Sequence, residues 1–461
     1  MSFTNHPYIP NSDPVVQAKM LQEIGASAIE DFFKCIPQEL RLKEKLDIPE
    51  PILSEAGLKR HVEELLSKNK TGNEMLSFLG GGCWNHHVPA ICDEINSRSE
   101  FLTAYAGDPY EDHGRFQALF EYASMMAMLL ETDVVNIPTY DGSQAAATSL
   151  RMACRITGRN HILVSEHTNP DRLKIIKTYL EPQIQVTAIK CSTLTGDIDM
   201  NDLKEKVSET IAAVYIENPS FLGNISVNGQ KIADAIHEKK GLFVVFTDPT
   251  SLGTIAPPSQ YGADLTCGDI QPLGIHMHFG GGRGGFIASA DREDFVLEYP
   301  SRLFGIAPTS EKEWGFGDVA WERTSFAKRE EAKEFVGTAA ALWGITAGVY
   351  LASMGPKGMQ ELSMGLMQRS SYLAKKIAAL PGVQLPFSNG ICFKEFVVNF
   401  DGTNRSTAQI NKALLDRGIF GGHDLSVDFP QMGQCALYAV TEGHTQADLD
   451  QLVSVLSQIL A

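Results

Sequence analysis

The sequence has little positive charge for its size. Lysine and arginine number 39 against 56 aspartates and glutamates, which leaves a formal net charge of −17. Such a surface repels phosphate backbones and anionic bilayers, so neither nucleic acid nor a membrane is an expected partner. Cysteine pairing motifs are absent too. Cys35, Cys83, Cys92, Cys154, Cys191, Cys267, Cys392 and Cys435 contain no C-x-x-C pair. Scattered cysteines in a long chain without a secretory signal read as reduced, buried thiols in a cytoplasm. The opening M-S-F-T-N-H-P-Y lacks the basic and apolar regions of a signal peptide. Internal repeats and low-complexity tracts are missing. Uncharged runs are scarce. The one from Phe335 to Pro356 is long enough to span a bilayer, but its Gly, Ala and Thr content predicts a buried helix at a domain or subunit seam. No lysine stands between Lys240 and Lys312, so that stretch offers no amine nucleophile.

What is present is the material of a large globular protein. The 461 residues, 43% apolar and 21% charged, suffice for two or three packed layers and two domains without disulfide or metal support. Residues 1–75 read as a polar, helical arm around a larger body or a partner. Asn11-Ser12-Asp13-Pro14 is a helix start, and Ser54 is an N-cap for apolar positions Leu58, Val62, Leu65 and Leu66. In the centre, residues 76–335, short β-branched runs at 134–138, 161–165, 184–189, 211–216, 242–247 and 286–289 alternate with helical segments. This rhythm predicts an α/β fold, a mostly parallel sheet covered on both faces. Residues 336–461 read as a linking helix and a small α/β domain. Its predicted strands are 393–400 and 435–440, and its helices are 407–418, closed by Gly418, and 445–460.

Four segments carry groups suited to chemistry. Tyr140–Ala147, Y-D-G-S-Q-A-A-A, follows a strand and opens a helix, so its free N–H groups with Ser143 and Gln144 form either an anion site or an ordinary cap. Phe243–Gly253 ends an apolar strand in Asp248. There an acid sits where open α/β sheets bind ligands, or else simply starts an Asp-Pro turn. Such an acid can hold a ring nitrogen protonated. Tyr261–Ala288 contains the glycines at 280–285 and the pair His276 and His278. On a strand that pair would share a face and could ligate a metal. No further ligand cluster stands nearby in sequence, and no metal is assigned. The glycine run is not a dinucleotide fingerprint, because its spacing and context differ. Cys83–His87, C-W-N-H-H, and Phe101–Arg115 mix aromatic, His and acidic residues as a pocket wall or interface would.

Taken in order, several stretches resemble the alpha half of two-part glycine decarboxylases, the P-protein family of the glycine cleavage system. They are P-Y-I-P-N-S, I-P-Q-E-L-R-L (36–42), S-F-L-G-G-G-C-W-N-H-H-V-P-A (77–90), S-R-S-E-F-L-T-A-Y (97–105), Y-D-G-S-Q-A-A-A, V-S-E-H-T-N-P-D-R-L-K-I-I-K-T-Y (164–179), E-N-P-S-F-L-G (217–223) and G-A-D-L-T-C-G-D-I-Q-P-L-G (262–274). The resemblance implies a fold-type-I pyridoxal-phosphate transferase fold, with a large α/β/α domain and a small C-terminal domain. It also implies a cytoplasmic hetero-oligomer, a heterotetramer of dimeric fold, that decarboxylates glycine and passes an aminomethyl group to the lipoyl arm of the H-protein. The beta subunit carries the cofactor lysine, so pyridoxal phosphate belongs to the assembled complex and is not covalently bound to this chain. Aligned with the beta pattern, Gln271 falls where that lysine would be, and glutamine cannot form a Schiff base. Ser143, Gln144, His167, Asp248 and Gln271 are then a vestigial cofactor pocket, with His167 in the ring-stacking region. Tyr105, Tyr110, His113, Arg115, His276, His278 and Arg283 are candidates for a channel or partner wall. The chain departs from the family pattern at 103–114, T-A-Y-A-G-D-P-Y-E-D-H-G, and in H-M-H-F-G-G-G-R-G-G (276–285). Two alternatives stay open: a self-sufficient or paralogous pyridoxal-phosphate enzyme for another amino acid, and a non-catalytic binding protein of the same fold.

Overall fold

A computed structural model describes residues 8–44, 46–72, 74–102, 113–337 and 339–461, with only the backbone of Pro10, His113, Gly114 and Trp321. The chain divides into two compact units, Met1–Lys70 and Thr71–Ala461. The first contains helices α1 (Pro14–Glu23) and α2 (Glu55–Leu66), neither with a buried residue. Asp13 caps α1 by accepting from the N–H groups of Val15 and Val16, and Ser54 caps α2 through Gly57 N–H. These caps satisfy donors that the first helical turn leaves free.

The second unit holds the remaining elements. Strand β1 (Leu76–Ser77) pairs in parallel with β12 (Ile419–Phe420). Helices α3 (Ala90–Asn96) and α4 (His113–Leu130) lead to the main sheet. Its strands are β2 (Val134–Val135), β3 (His161–Ser165), β4 (Gln185–Ile189), β5 (Ala213–Glu217), β6 (Leu242–Thr247), β7 (Leu265–Asp269) and β8 (Gly285–Ser289). They lie in the order β2-β8-β7-β6-β5-β3-β4, all parallel except β8, which runs antiparallel to both its neighbours. The helices between them are α5 (Gly142–Thr157), α6 (Pro170–Leu180), α7 (Met200–Lys206) and α8 (Gly229–Glu238).

The near-continuous apolar strands follow from a sheet covered on both sides. In β6, Val244 and Phe246 pack into one core with Ala145–Ala147 of α5 and Ile176 of α6. Phe243 and Val245 face the other way, into a core with Leu203 of α7 and Ile232 and Ile236 of α8. Side chains alternate at period two, so one strand feeds two cores.

After α9 (Glu293–Val296), strands β9 (Phe304–Pro308) and β10 (Trp314–Asp318) form an antiparallel pair. Helix α10 (Ala341–Ala378) takes up much of the uncharged run. Ala341, Gly344, Ile345, Thr346, Ala347 and Gly348 are buried in it. It breaks at Gly355 (φ 59°, ψ 178°), just before Pro356, which has no N–H to continue the ladder. Among the described residues no helix is long and apolar enough to cross a membrane. The C-terminal part has strands β11 (Glu395–Asn399), β13 (His423–Asp424) and β14 (Cys435–Ala439) in the antiparallel order β11-β14-β13, with helices α11 (Thr407–Leu415) and α12 (Gln446–Leu460). Val398, Ala436 and Tyr438 pack there against Leu373, Ile410 and Leu452.

The strand placement of His276 and His278 is corrected. His278–Gly280 is a 3₁₀ turn, with His278 (φ 43°), Phe279 (φ 56°) and Gly280 (φ 91°) all left-handed. Strand β8 begins only at Gly285, where a side chain would strike the Asp141 carbonyl at 2.1 Å. That close approach seats β8 under the start of α5. Gly285→Ala is expected to lower stability by about 1–3 kcal/mol through overpacking. Gly281→Ala, whose added carbon meets only the His278 carbonyl at 3.3 Å, should cost much less. Thermal unfolding of both variants checks this, and equal midpoints would contradict it.

Candidate functional site

Three of the parallel strands end their carboxyl edges in acids: Glu217 closes β5, Asp269 closes β7, and Asp248 follows β6 directly. Open α/β sheets gather ligands at this edge. Asp248 faces a cleft lined by Trp84, Arg172, Glu217, Phe246, Lys394 and others. Its carboxylate does not wait for a ligand. Lys394 Nζ lies 2.6 Å from Asp248 Oδ2, with both side chains buried. The same ammonium sits 3.0 Å from His86 Nε2 and 3.4 Å from the centroid of the Trp84 ring.

A lysine ammonium has no acceptor, so the His86 nitrogen facing it must accept. His86 then carries its proton on Nδ1 and donates it to Glu442 Oε2 at 2.7 Å. Glu442 Oε1 also accepts from His87 N–H at 2.7 Å. A buried chain Glu442–His86–Lys394–Asp248 thus ties the C-terminal part to the main sheet. Burial pushes the Asp248 carboxyl up, but the Lys394 ammonium and the Thr250 hydroxyl outweigh it, and the group ends below its ordinary range. Burial likewise raises Glu442, yet the bonds donated by His86 Nδ1 and by the His87 N–H outweigh it and hold the carboxyl below its ordinary range. The neighbouring Glu395 is held up by burial although it accepts from Gly81 N–H at 2.7 Å.

Two further groups close the cleft. Arg172 is ion-paired with Glu217 and lies 3.5 Å over the Phe246 ring. Asn169 caps α6 through Asp171 and Arg172 N–H, and donates to the Gly81 carbonyl at 2.9 Å. The free volume that remains is about 40 Å³, little above one water's share of the liquid, about 30 Å³.

Gln271 is fully committed. Its Oε1 accepts from Trp84 N–H at 3.1 Å, and its Nε2 donates to the carbonyls of Trp84 and Ile275, each at 3.0 Å. The side chain is a clamp on the 83–87 loop. Ser143 is buried in the first turn of α5, and Gln144 Oε1 accepts from Tyr140 N–H at 3.0 Å. Asp141 caps α5 through Gln144 N–H, and Gly142 N–H donates to Asp269 Oδ2 at 2.9 Å. Arg283 Nε donates to that same oxygen at 2.9 Å. A carboxylate of the chain itself therefore takes the anion position at this helix start. His167 is buried, faces the Gly196 carbonyl through Nδ1 at 3.1 Å, and packs beside Phe387 at 5.5 Å. Burial lowers its pKa.

The other candidates lie apart. His276 bonds Asp93 at 3.0 Å, and His278 stacks on Trp343 at 5.5 Å. Arg115 is buried. Tyr105 and Tyr110 fall outside the described residues, as does the side chain of His113. Lys394, Glu442, Asp269 and the Arg172–Glu217 pair were not among the residues singled out by sequence. The available signals were two charges at the head of an apolar strand, F-K-E-F-V-V, and a second strand ending in Asp, L-T-C-G-D.

The parallel sheet, the acids at its carboxyl edge and the small C-terminal domain define a fold-type-I pyridoxal-phosphate enzyme fold. Solved structures agree. A NifS-like protein matches with a TM-score of 0.63 over 84% of this chain and 99% of its own. A sphingosine-1-phosphate lyase from Burkholderia pseudomallei matches with 0.66 over 92% and 94%. Both are 13% identical and bear on the fold alone. The glycine cleavage system P-protein profile matches residues 6–456, and the chain belongs to that family. A crystal structure of glycine decarboxylase (P-protein) of the glycine cleavage system, in inhibitor-bound form, superposes with a TM-score of 0.85 at 32% identity, covering all of both chains. The protein named "Probable glycine dehydrogenase (decarboxylating) subunit 1" in Staphylothermus marinus is 37% identical, over 99% of this chain and 98% of that one. Its namesake in Pyrococcus horikoshii is 36% identical, over 99% and 100%.

The residues present do not fit a bound pyridoxal phosphate. The amide of Gln271 is no amine, Asp248 already holds a cation, and Asp269 takes the Gly142 N–H. The cleft is also far below the about 300–1,000 Å³ that organic ligands occupy.

The buried chain has a pH signature. The folded value of Glu442 lies below its ordinary 4.5, so its contribution is complete above 4.5 and is lost as the pH falls toward 2. Glu442→Gln, which gives up two hydrogen bonds to a carboxylate, should therefore lose about 1–3 kcal/mol at neutral pH, and its stability should vary less with pH across that window. Urea unfolding from pH 6 down to about 2.5 checks it; parallel curves for wild type and variant would contradict it.

Proposed function

We propose that this chain is the alpha subunit of a two-part glycine decarboxylase and that it takes part in glycine cleavage without holding the cofactor. Pyridoxal phosphate and its lysine reside on a beta partner of the same fold. The pair decarboxylates glycine and delivers the aminomethyl group to the lipoyl arm of an H-protein. One observation carries this reading: the position expected to hold the lysine is Gln271, buried and bonded on both sides of its amide. A Schiff base needs an amine, and none can be substituted there without releasing the 83–87 loop. Family membership, with relatives named as subunit 1, supports a partner subunit.

In this reading the vestigial pocket of Ser143, Gln144, His167, Asp248 and Gln271 serves structure. It fixes the loop at Trp84 and the start of α5, and so presents a rigid body to the partner. His276 and His278, both exposed, belong to the wall that faces the partner or the access channel, whereas Arg115 is buried and Arg283 is held by Asp269. The net charge of −17 keeps such a subunit soluble and off phosphate surfaces.

The purified chain mixed with pyridoxal phosphate and treated with borohydride should give no absorbance near ~420 nm and no trapped lysine, because an internal aldimine requires an amine at the site. Mixed with a beta-like chain and a lipoylated H-protein, it should support glycine-dependent exchange of carbon dioxide. A specific trapped lysine on this chain would instead favour a self-sufficient pyridoxal-phosphate enzyme. Full exchange by the beta chain alone would favour a non-catalytic binding protein.

A further inference from the structure

Lys394 enters the cleft from the head of β11 and is one of the largest fully buried side chains in the described protein. A buried ammonium is costly unless every side of it is compensated. Here the compensation is complete in kind: a carboxylate at 2.6 Å, an imidazole acceptor at 3.0 Å and an indole face at 3.4 Å. Together these form a box for a primary ammonium ion, of which Trp84 supplies the cation–π wall. The box is built around Asp248, the acid that a protonated ring nitrogen would need.

We propose that Lys394 is the specificity-determining residue of this cleft: its ammonium takes the place beside Asp248 that a pyridinium would require, so the chain fills its own cation site and excludes the ring. This inference rests on the reading that the chain carries no cofactor. It adds that the loss is enforced at two separated positions, Gln271 and Lys394. Restoring an amine at 271 alone therefore leaves the ring without its acid. The charged and titratable groups around the pair are His86 and Cys83 from the 78–89 loop, Glu442 from the segment after β14, Glu395 beside Lys394, Tyr350 from α10, and the Arg172–Glu217 pair across the cleft.

Two variants of the full chain test it. Lys394→Ala keeps Cβ and leaves a space shaped for propylammonium. Its Tm should fall by about 5 °C or more, as for a buried pair stripped of one partner. Propylammonium, and pyridinium in mildly acidic buffer where the ring carries its proton, should at about 50 mM restore most of that loss by binding the folded state. Propanol should not, and wild type should respond to none of them. Lys394→Met retains bulk without charge, and its stability should change sign with pH. In wild type the depressed Asp248 contributes stability above its ordinary range, lost on acidification. In the variant the Thr250 hydroxyl still favours the carboxylate, but without the ammonium burial prevails and raises the carboxyl, so stability is present at low pH and lost as pH rises, and its Tm relative to wild type should fall between about pH 5 and 8.

A Lys394→Ala chain that is as stable as wild type, or that is unmoved by either cation, overturns the proposal. So does a Lys394→Met chain with the pH slope of wild type. Should Lys394→Ala fail to fold, the slope of Lys394→Met decides alone, and should neither fold in buffer, refolding with and without propylammonium decides. Trapping of pyridoxal phosphate on the wild-type chain would overturn the cofactor-free reading itself, whereas unresponsive variants overturn only the role given to Lys394.

Discussion

The ion pair of Lys394 with Asp248 links the main sheet to the small C-terminal sheet, beside an apolar cluster in which Phe221 and Leu222 pack with Val397 and Leu437. Asp248 follows β6 of the main sheet, and Lys394 heads the first strand of the small C-terminal sheet. The pair continues through His86 to Glu442, so a loop before the main sheet and a loop after the last strand share one buried charge chain. Breaking such a chain at one member strands a charge in a low-dielectric interior, which costs several times what a surface pair contributes. The cleft at the sheet's carboxyl edge therefore acts as a joint, held by charge where relatives of this fold hold a ligand.

The same substitution of protein for ligand recurs around the cleft. Asp269 stands at the start of α5 and accepts from Gly142 N–H, with Arg283 on the same oxygen. Helix starts favour anions because their N–H groups are free and their dipole is positive. A carboxylate from the neighbouring strand meets that preference here. Gln271 spends its amide on Trp84 and Ile275. Asp248, Asp269 and Gln271, which the fold gathers at this edge, each have an ionic or hydrogen-bond partner within the chain. This satisfies the rule that buried polar groups be paired, and it leaves a rigid surface for a partner subunit.

Much of the fold was legible in the sequence. The strands at 161–165 and 242–247 coincide with the observed ones, because apolar runs bounded by helices carry an unambiguous pattern. The N-cap Ser54 was legible because a hydroxyl three residues before a free N–H leaves a local mark. Two elements were not, and one predicted strand was drawn too long. The strand Leu265–Asp269 contains Thr, Gly and Asp and is a strand because it is buried on both faces, a tertiary cause. The hairpin of Phe304–Pro308 with Trp314–Asp318 lacks apolar alternation. The strand at Val134 stops at Val135, short of Ile137-Pro138, where proline removes a donor. At the site, Asp248 was legible as an acid closing an apolar strand. Lys394 was not, because its partners His86, Asp248 and Glu442 are far from it in sequence, and no local pattern links a strand-head lysine to them.

The central claim is that only one chain of each alpha–beta pair takes up cofactor. The most direct test is the stoichiometry of pyridoxal phosphate in the assembled complex, released by alkali and measured against the two chains. The account predicts one cofactor per alpha–beta pair and none recovered with this chain once the subunits are separated. Two per pair, or cofactor retained by this chain, would contradict it.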